Sequence, residues 1–349
     1  MRTRDDFLIE SYSLKVQTMT KTVSALKCIF WFAALVLITS ATRSDAQQSP
    51  KLTPINYGTI TISALHWPYL IAEQEGMLQK EGIEIKRVMG GTTTATSQAL
   101  VGGSTDLAQM NLVQLLAANS AGADLIAVAG DTWVPIYALI VHPSINSYAD
   151  LKGKRLAVAS PTDPLNYVLA RMLAANGLTP ADYEMIGLGG TPTRLAAVEK
   201  GGVAGALVNQ PSDFKAIASG LRLLGYSSDY VDNFQYTVTG ARRDWAHANR
   251  PLMVRFLRAF VRACDFFYEP KNKEAVLRAL IEKAKAERDE AEKTYSLFIK
   301  TKKSIPRDGG IDITGARIVA ESWKEFGLQK PPPPVDGVID MSYLQEARK

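Results

Sequence analysis

The stretch TISALHWPYLIAEQEGMLQKEGIEIKRVMGG, residues 61–91, decides the fold. Just before it, INYGTI reads as a strand. Within it, WPYLIAEQEGML reads as a helix with Pro68 in its first turn, where the missing N–H would have had no partner anyway. IEIKRV then alternates as a strand and runs into Gly90 and Gly91. Strand, helix and strand in that order form a βαβ unit, whose two strands run parallel. His66 and Trp67 fall in the loop at the first strand's tip, the edge of an open α/β sheet where ligands bind.

The rhythm continues outward. TTTATSQALVGG reads as a helix with a threonine cap and a glycine stop, TDLAQM as a short strand, LVQLLAANSAG as a helix and LIAVAG as a strand. A second round follows an extended segment, PIYALIVHP. Its strands are RLAVAS, YEMIGLGG and AGALVNQ, and its helices are PLNYVLARMLAANG, TPTRLAAVEKGG and the short PSDFKAIASG. This order predicts mainly parallel sheets covered on both faces, built as two α/β units over about 52–138 and 139–234. Past FQYTVTGARRDWAHAN the chain reads as helices, interrupted by the stiff extended segment KPPPPV.

With 349 residues, 46% of them hydrophobic, the chain can bury a large core. Its 40 basic and 35 acidic residues leave a net charge of +5, too small and too dispersed to signal nucleic-acid binding. The runs of charge near residues 271–293 alternate in sign and read as a solvated helix face. Near the N-terminus, Lys21 and Lys27 precede an apolar run from Cys28 to Thr39, and small residues flank a cut after Ala46. This is the pattern of a cleaved secretory signal over residues 1–46, with Met19 as an alternative start. The apolar run is shorter than the ~20 residues a membrane-spanning helix needs. The remaining chain keeps a single cysteine, Cys264, in an amphipathic helix pattern, so no internal disulfide is expected and a buried thiol is.

The order and spacing of these motifs carry a resemblance. LHWPYLIAEQEGMLQKEGIEIKRVMGGTTTATSQALVGGSTDLAQMN, SYADLKGKRLAVASPTD and GGTPTRLAAVEKGGVAGALVNQPSD together resemble the periplasmic solute-binding proteins of the nitrate/sulfonate/taurine and thiamine-pyrimidine-precursor group. The resemblance implies an α/β, two-lobe periplasmic binding protein of type II with a ligand cleft between lobes. The first lobe would comprise residues 47–138 and 235–349, and the second 139–234. It further implies a periplasmic monomer that delivers a small organic solute (a sulfonate, amino-sulfonate, pyrimidine or aromatic) to an ABC permease and its cytoplasmic ATPase. No cofactor, metal or nucleic acid enters that expectation.

Within such a cleft, the loops that follow strands and precede helices supply the candidate contacts. In the first lobe these are His66 and Trp67, for stacking or packing; Gly91, Thr92 and Thr93, for close backbone approach and hydroxyl contacts; Asn111; and Trp133. In the second lobe they are Ser160, Thr162 and Asp163, then Gly190 and Thr191, then Asn209 at the place the resembling proteins give to a ligand- or hinge-facing polar residue. Asp163 would either bind an amine or cap the helix that follows it. Arg194 lies just inside its helix, facing the cleft or the surface. The histidines are not spaced as metal ligands, and no nucleophile triad, zinc motif or phosphate loop is present. Two other classes stay open: a ligand-sensing module for a membrane receptor, and an enzyme like the thiamine-pyrimidine synthases.

Overall fold

The computed structural model describes residues 51–160, 163–300 and 304–349. The expected signal segment and Thr162 lie outside the described residues. No helix among those described is long and apolar enough to cross a membrane.

The chain forms two five-stranded sheets in one compact unit that begins at Leu52. The first contains β1 (Thr53–Thr59), β2 (Ile83–Met89), β3 (Leu107–Asn111), β4 (Leu125–Thr132) and β10 (Thr237–Arg242), in the order β2-β1-β3-β10-β4. The second contains β5 (Tyr137–Val141), β6 (Lys154–Val158), β7 (Tyr183–Gly187), β8 (Gly205–Asn209) and β9 (Arg222–Tyr226), in the order β7-β6-β8-β5-β9. This is a two-lobe α/β fold of the type II periplasmic-binding class.

The sheets are more mixed than the rhythm of the sequence predicts. β10 runs antiparallel to β3 and β4, and β5 runs antiparallel to β8 and β9. The reason is topological. A helix between two strands returns the chain to its starting edge and makes the strands parallel. β5 and β10 each follow a direct crossing from the other sheet, with no α-helix to return the chain, so each enters its new sheet from the opposite edge.

The two crossings are bonded to each other. Ser227 donates its hydroxyl to Pro135 O at 2.6 Å and accepts from Tyr137 N at 2.8 Å. Gln235, fully buried, donates to Thr132 O and Thr237 O and accepts from Asp312 N at 2.7 Å. The C-terminal tail thereby holds the same junction. It also covers β4, an otherwise open sheet edge, where Ile339 forms a parallel bridge to Ala127.

β4 and the tail meet backbone to backbone at Gly130, whose N–H donates to Gly309 O at 2.9 Å. A Cβ on Gly130 would stand 2.3 Å from Gly310 O. Gly130→Ala should therefore force the two segments apart, lowering stability by ~1–3 kcal/mol. Equilibrium urea unfolding checks this, and an unchanged midpoint would mean that the tail is not seated on β4.

The helices most important for the site are α1 (Trp67–Gln74), α2 (Thr93–Val101), α3 (Leu112–Ser120), α4 (Leu165–Ala175), α5 (Thr191–Glu199) and α6 (Arg250–Tyr268). On α6, Met253, Phe256, Leu257, Phe260, Ala263, Cys264 and Phe267 recur at helical spacing and are all buried against sheet one and α1. Burial pushes the Cys264 thiol well above its ordinary range, so it stays a protonated packing group.

Candidate functional site

Because β1 to β4 end at the same edge of sheet one, and β6 to β8 end facing them from sheet two, the loops at their tips converge. They enclose a cavity of about 60 Å³. Its lining takes Ser63, His66, Gly91, Thr92, Thr93 and Asn111 from the first half, and Asp163, Gly190, Thr191 and Asn209 from the second. The halves touch at the rim, where Ala64 N donates to Gln210 O at 3.2 Å.

Helices α2, α4 and α5 start at lining residues, and Asn111, just before α3, is another. The first-turn N–H groups and the dipole of a helix favour negative charge. Thr92 caps α2 by accepting from Ala95 N at 3.1 Å, and Asp163 caps α4 by accepting from Leu165 N at 2.8 Å. Asn111 and Gly190 stand at the N-caps of α3 and α5 without a side-chain cap bond. At α3 the first N–H, of Leu112, donates to Tyr236 O at 3.0 Å, and at α5 Pro192 has no N–H to offer.

The ionisable groups of the lining are few. His66 is buried and bonded through Nε2 to Thr59 Oγ1. Burial, helped by Arg87, lowers it to about 3, so its ring is neutral near pH 7. Burial raises the Asp163 carboxyl, while its bond from Leu165 N and the Arg194 charge pull it back. Tyr137 and Tyr236, one at each crossing, meet hydroxyl to hydroxyl at 3.1 Å and both border the cavity. Among the described residues no His, Cys, Asp and Glu gather as a metal site.

Several sequence expectations need correction. Trp67 does not face the cleft. It is fully buried behind it, donates Nε1–H to Val276 O at 2.8 Å, and packs edge-on against Phe267, Tyr295 and Phe298. As the first residue of α1 it turns toward the helical tail, while its neighbour His66 turns toward the cavity. Trp133 is also outside the cavity; its indole donates to Gly310 O at 2.8 Å and anchors the tail. Ser160 lies outside the lining, between Ala159 and Asp163, which belong to it.

Other lining residues were not singled out by the sequence, among them Gln109, Tyr137, Tyr236 and Thr237, and Arg194, left open between cleft and surface, faces the cavity. Arg194 carried a usable signal. A helical side chain leans over the turn before it, so the fourth residue of α5 reaches back to the helix start. It is 3% exposed. The tyrosines offered no local signal, because only the crossings place them side by side.

A structure from Bordetella bronchiseptica RB50 matches with a TM-score of 0.71 and 20% identity, covering 85% of this chain and 98% of that one. The alkanesulfonate-binding protein SsuA from Xanthomonas axonopodis pv. citri, bound to MOPS, matches with a TM-score of 0.66 and 21% identity, covering 83% and 98%. A curated relative, the 4-amino-5-hydroxymethyl-2-methylpyrimidine phosphate synthase of Schizosaccharomyces pombe, is 28% identical over 127 residues. That alignment spans 36% of this chain and 36% of the relative. The family model "NMT1/THI5 like" matches residues 63–275, which take in the strand-tip loops of both sheets. This chain belongs to the NMT1/THI5-like family.

Proposed function

We propose that this chain is the extracytoplasmic solute-binding component of an ABC importer. The observation that supports it most is that the cavity is walled by strand tips from both sheets, so a solute held there holds the halves together. Residues of about 47–138 with 235–349 would move as one lobe against about 139–234, bending at the crossings between β4 and β5 (133–136) and between β9 and β10 (227–236). The permease would then recognise the closed form. The chain would reach the periplasm through cleavage of residues 1–46.

The cavity is about 60 Å³, and one water needs ~10–15 Å³ by the same measure. That size favours a small solute: a sulfonate, an amino-sulfonate or a single pyrimidine or aromatic ring. The helix dipoles that converge on the cavity favour an anionic head. The synthase relative motivates an enzymatic second reading. Against it, the described lining residues include no thiol or lysine amine, and His66 is neutral and occupied by Thr59.

A thermal-shift screen of sulfonates, amino-sulfonates, pyrimidines and aromatic acids on residues 47–349 tests the proposal. A true ligand at ~100 times its dissociation constant should add ~2.7 kcal/mol of stability. Product formed from a pyrimidine-forming reaction mixture, with no stabilising solute in the screen, would favour the enzyme instead.

Asn111 gives a residue-level test. It is 2% exposed, and its Nδ2 has no hydrogen-bond partner among the described residues. Asn111→Ala should weaken the solute found by the screen by about tenfold, the size of one lost directional hydrogen bond. The melting temperature of the free protein should hardly change. Undiminished affinity in calorimetric titration would remove Asn111 from the site.

A further inference from the structure

Arg194 is the one guanidinium among the described lining residues, and an anionic solute would be expected to pair with it directly. Its hydrogen bonds point elsewhere. Nη1 donates to Gly189 O at 3.0 Å, and Nη2 donates to Thr191 Oγ1 at 3.1 Å. The Thr191 hydroxyl in turn donates to Asn209 Oδ1 at 3.0 Å.

The order of donors matters. A hydroxyl has one proton to give. With the guanidinium donating into its oxygen, Thr191 turns that proton to Asn209. An amide that accepts at Oδ1 is left with its Nδ2 hydrogens to offer. Asn209 lines the cavity and is 7% exposed.

We infer that Arg194 is a positioning residue, which acts through Thr191 to fix the way Asn209 faces. This corner of the cavity then presents N–H groups, and the solute atom lodged there is a hydrogen-free acceptor, such as an ionised sulfonate or carboxylate oxygen or a carbonyl oxygen. The inference rests on the solute-binding reading. It reassigns Thr191 from a solute contact to the middle of a relay. A bare positive charge cannot replace Arg194, because the relay needs the two-ended fork that spans Gly189 O and Thr191 Oγ1.

The relay is tested first without solute. In protein carrying 15N only in asparagine side chains, the Asn209 amide pair is identified by its loss in Asn209→Ala. Arg194→Lys and Thr191→Val should both shift that pair, although Arg194 makes no hydrogen bond to Asn209. Thr191→Ser should leave it in place. An Asn209 signal unmoved by Arg194→Lys overturns the relay.

The second arm is calorimetric titration with MOPS, taurine and 4-amino-5-hydroxymethyl-2-methylpyrimidine. For whichever binds wild-type protein, Thr191→Val should weaken affinity by about tenfold, as expected for one misdirected hydrogen bond. Thr191→Ser should restore it. Arg194→Lys and Asn209→Ala should lose less together than the sum of their separate losses, since both act on one contact. Additive losses, or a Thr191→Val variant that binds normally, would mean that Arg194 meets the solute directly. An intact relay in a protein that binds neither these probes nor any member of the screening panel would overturn the binding reading, and with it the assignment of this corner to a solute.

Discussion

Trp67→Ala should lower the stability of the free protein by ~3–5 kcal/mol, the usual cost of truncating a buried aromatic residue, while leaving solute affinity within about twofold. The indole is fully buried, with ring neighbours at 5.1 Å (Phe267), 5.7 Å (Phe298) and 6.3 Å (Tyr295). Alanine would leave a cavity among these rings and remove the indole N–H that Val276 O accepts. The loss falls at the joint between α1 and the helical tail, behind the strand tips and out of reach of the cavity. Trp67→Phe should recover part of the stability, because it keeps the ring and loses only the hydrogen bond. Urea unfolding and titration together decide the matter. Weakened binding with normal stability would return Trp67 to the cleft wall, where the sequence alone had placed it.

Asp131→Asn should stabilise the protein near neutral pH and lose much of that advantage in mild acid. Asp131 is 1% exposed, yet what faces it is polar and uncharged: Tyr69 donates to its Oδ1 at 2.6 Å and Thr239 at 2.8 Å. The Gln109 amide nearby also favours the ionised carboxyl, although it donates to Leu65 O and Oδ2 makes no hydrogen bond among the described residues. The other titratable groups around it are Tyr57 on β1, Tyr69 on α1 and Cys264 on α6, each held protonated by burial. Desolvation raises Asp131 to about 7 against those hydrogen bonds.

The folded state therefore binds this proton more tightly than the unfolded chain, whose aspartates titrate near ~3.9. The resulting penalty is absent below about pH 4, grows as pH rises, and is complete above about pH 7. Relative to the asparagine variant, the wild type should gain ~2–3 kcal/mol between about pH 7.5 and about pH 5. Comparison with the variant matters, because other groups titrate in the same window. Asp213, raised to about 6 by burial, acts in the same direction. His66, lowered to about 3, acts in the opposite one, since its unfolded form gains a proton below about pH 6.5 that the folded form refuses. Parallel stability profiles for wild type and variant would show that Asp131 is ionised at ordinary cost, with access to water or a cation.

The sequence by itself determined the local elements wherever one period was clean. The apolar spacing of α6 and the buried run of β4 announced a helix and a strand, because each pattern can bury its apolar side in only one conformation. Glycine pairs and threonines after strands likewise marked the loops at Gly91–Thr93 and Gly190–Thr191, since a chain leaving a strand for a helix needs tight backbone and a cap. β10 escaped because TVTGAR mixes threonine and glycine, with no alternation to read. It is buried only because β3 and β4 flank it on both sides. Tertiary structure alone decided between His66 and Trp67, adjacent in sequence and both buried. The next layer of packing sent the indole to Phe267 and Phe298 and the imidazole to Thr59 and the cavity. The same holds for Thr191, whose hydroxyl the sequence displays but whose bond to Asn209 depends on how α5 meets β8. Local sequence fixes conformation through short-range sterics and periodicity; which side chain meets a ligand depends on contacts among residues far apart in the chain, and those exist only once the sheets have formed.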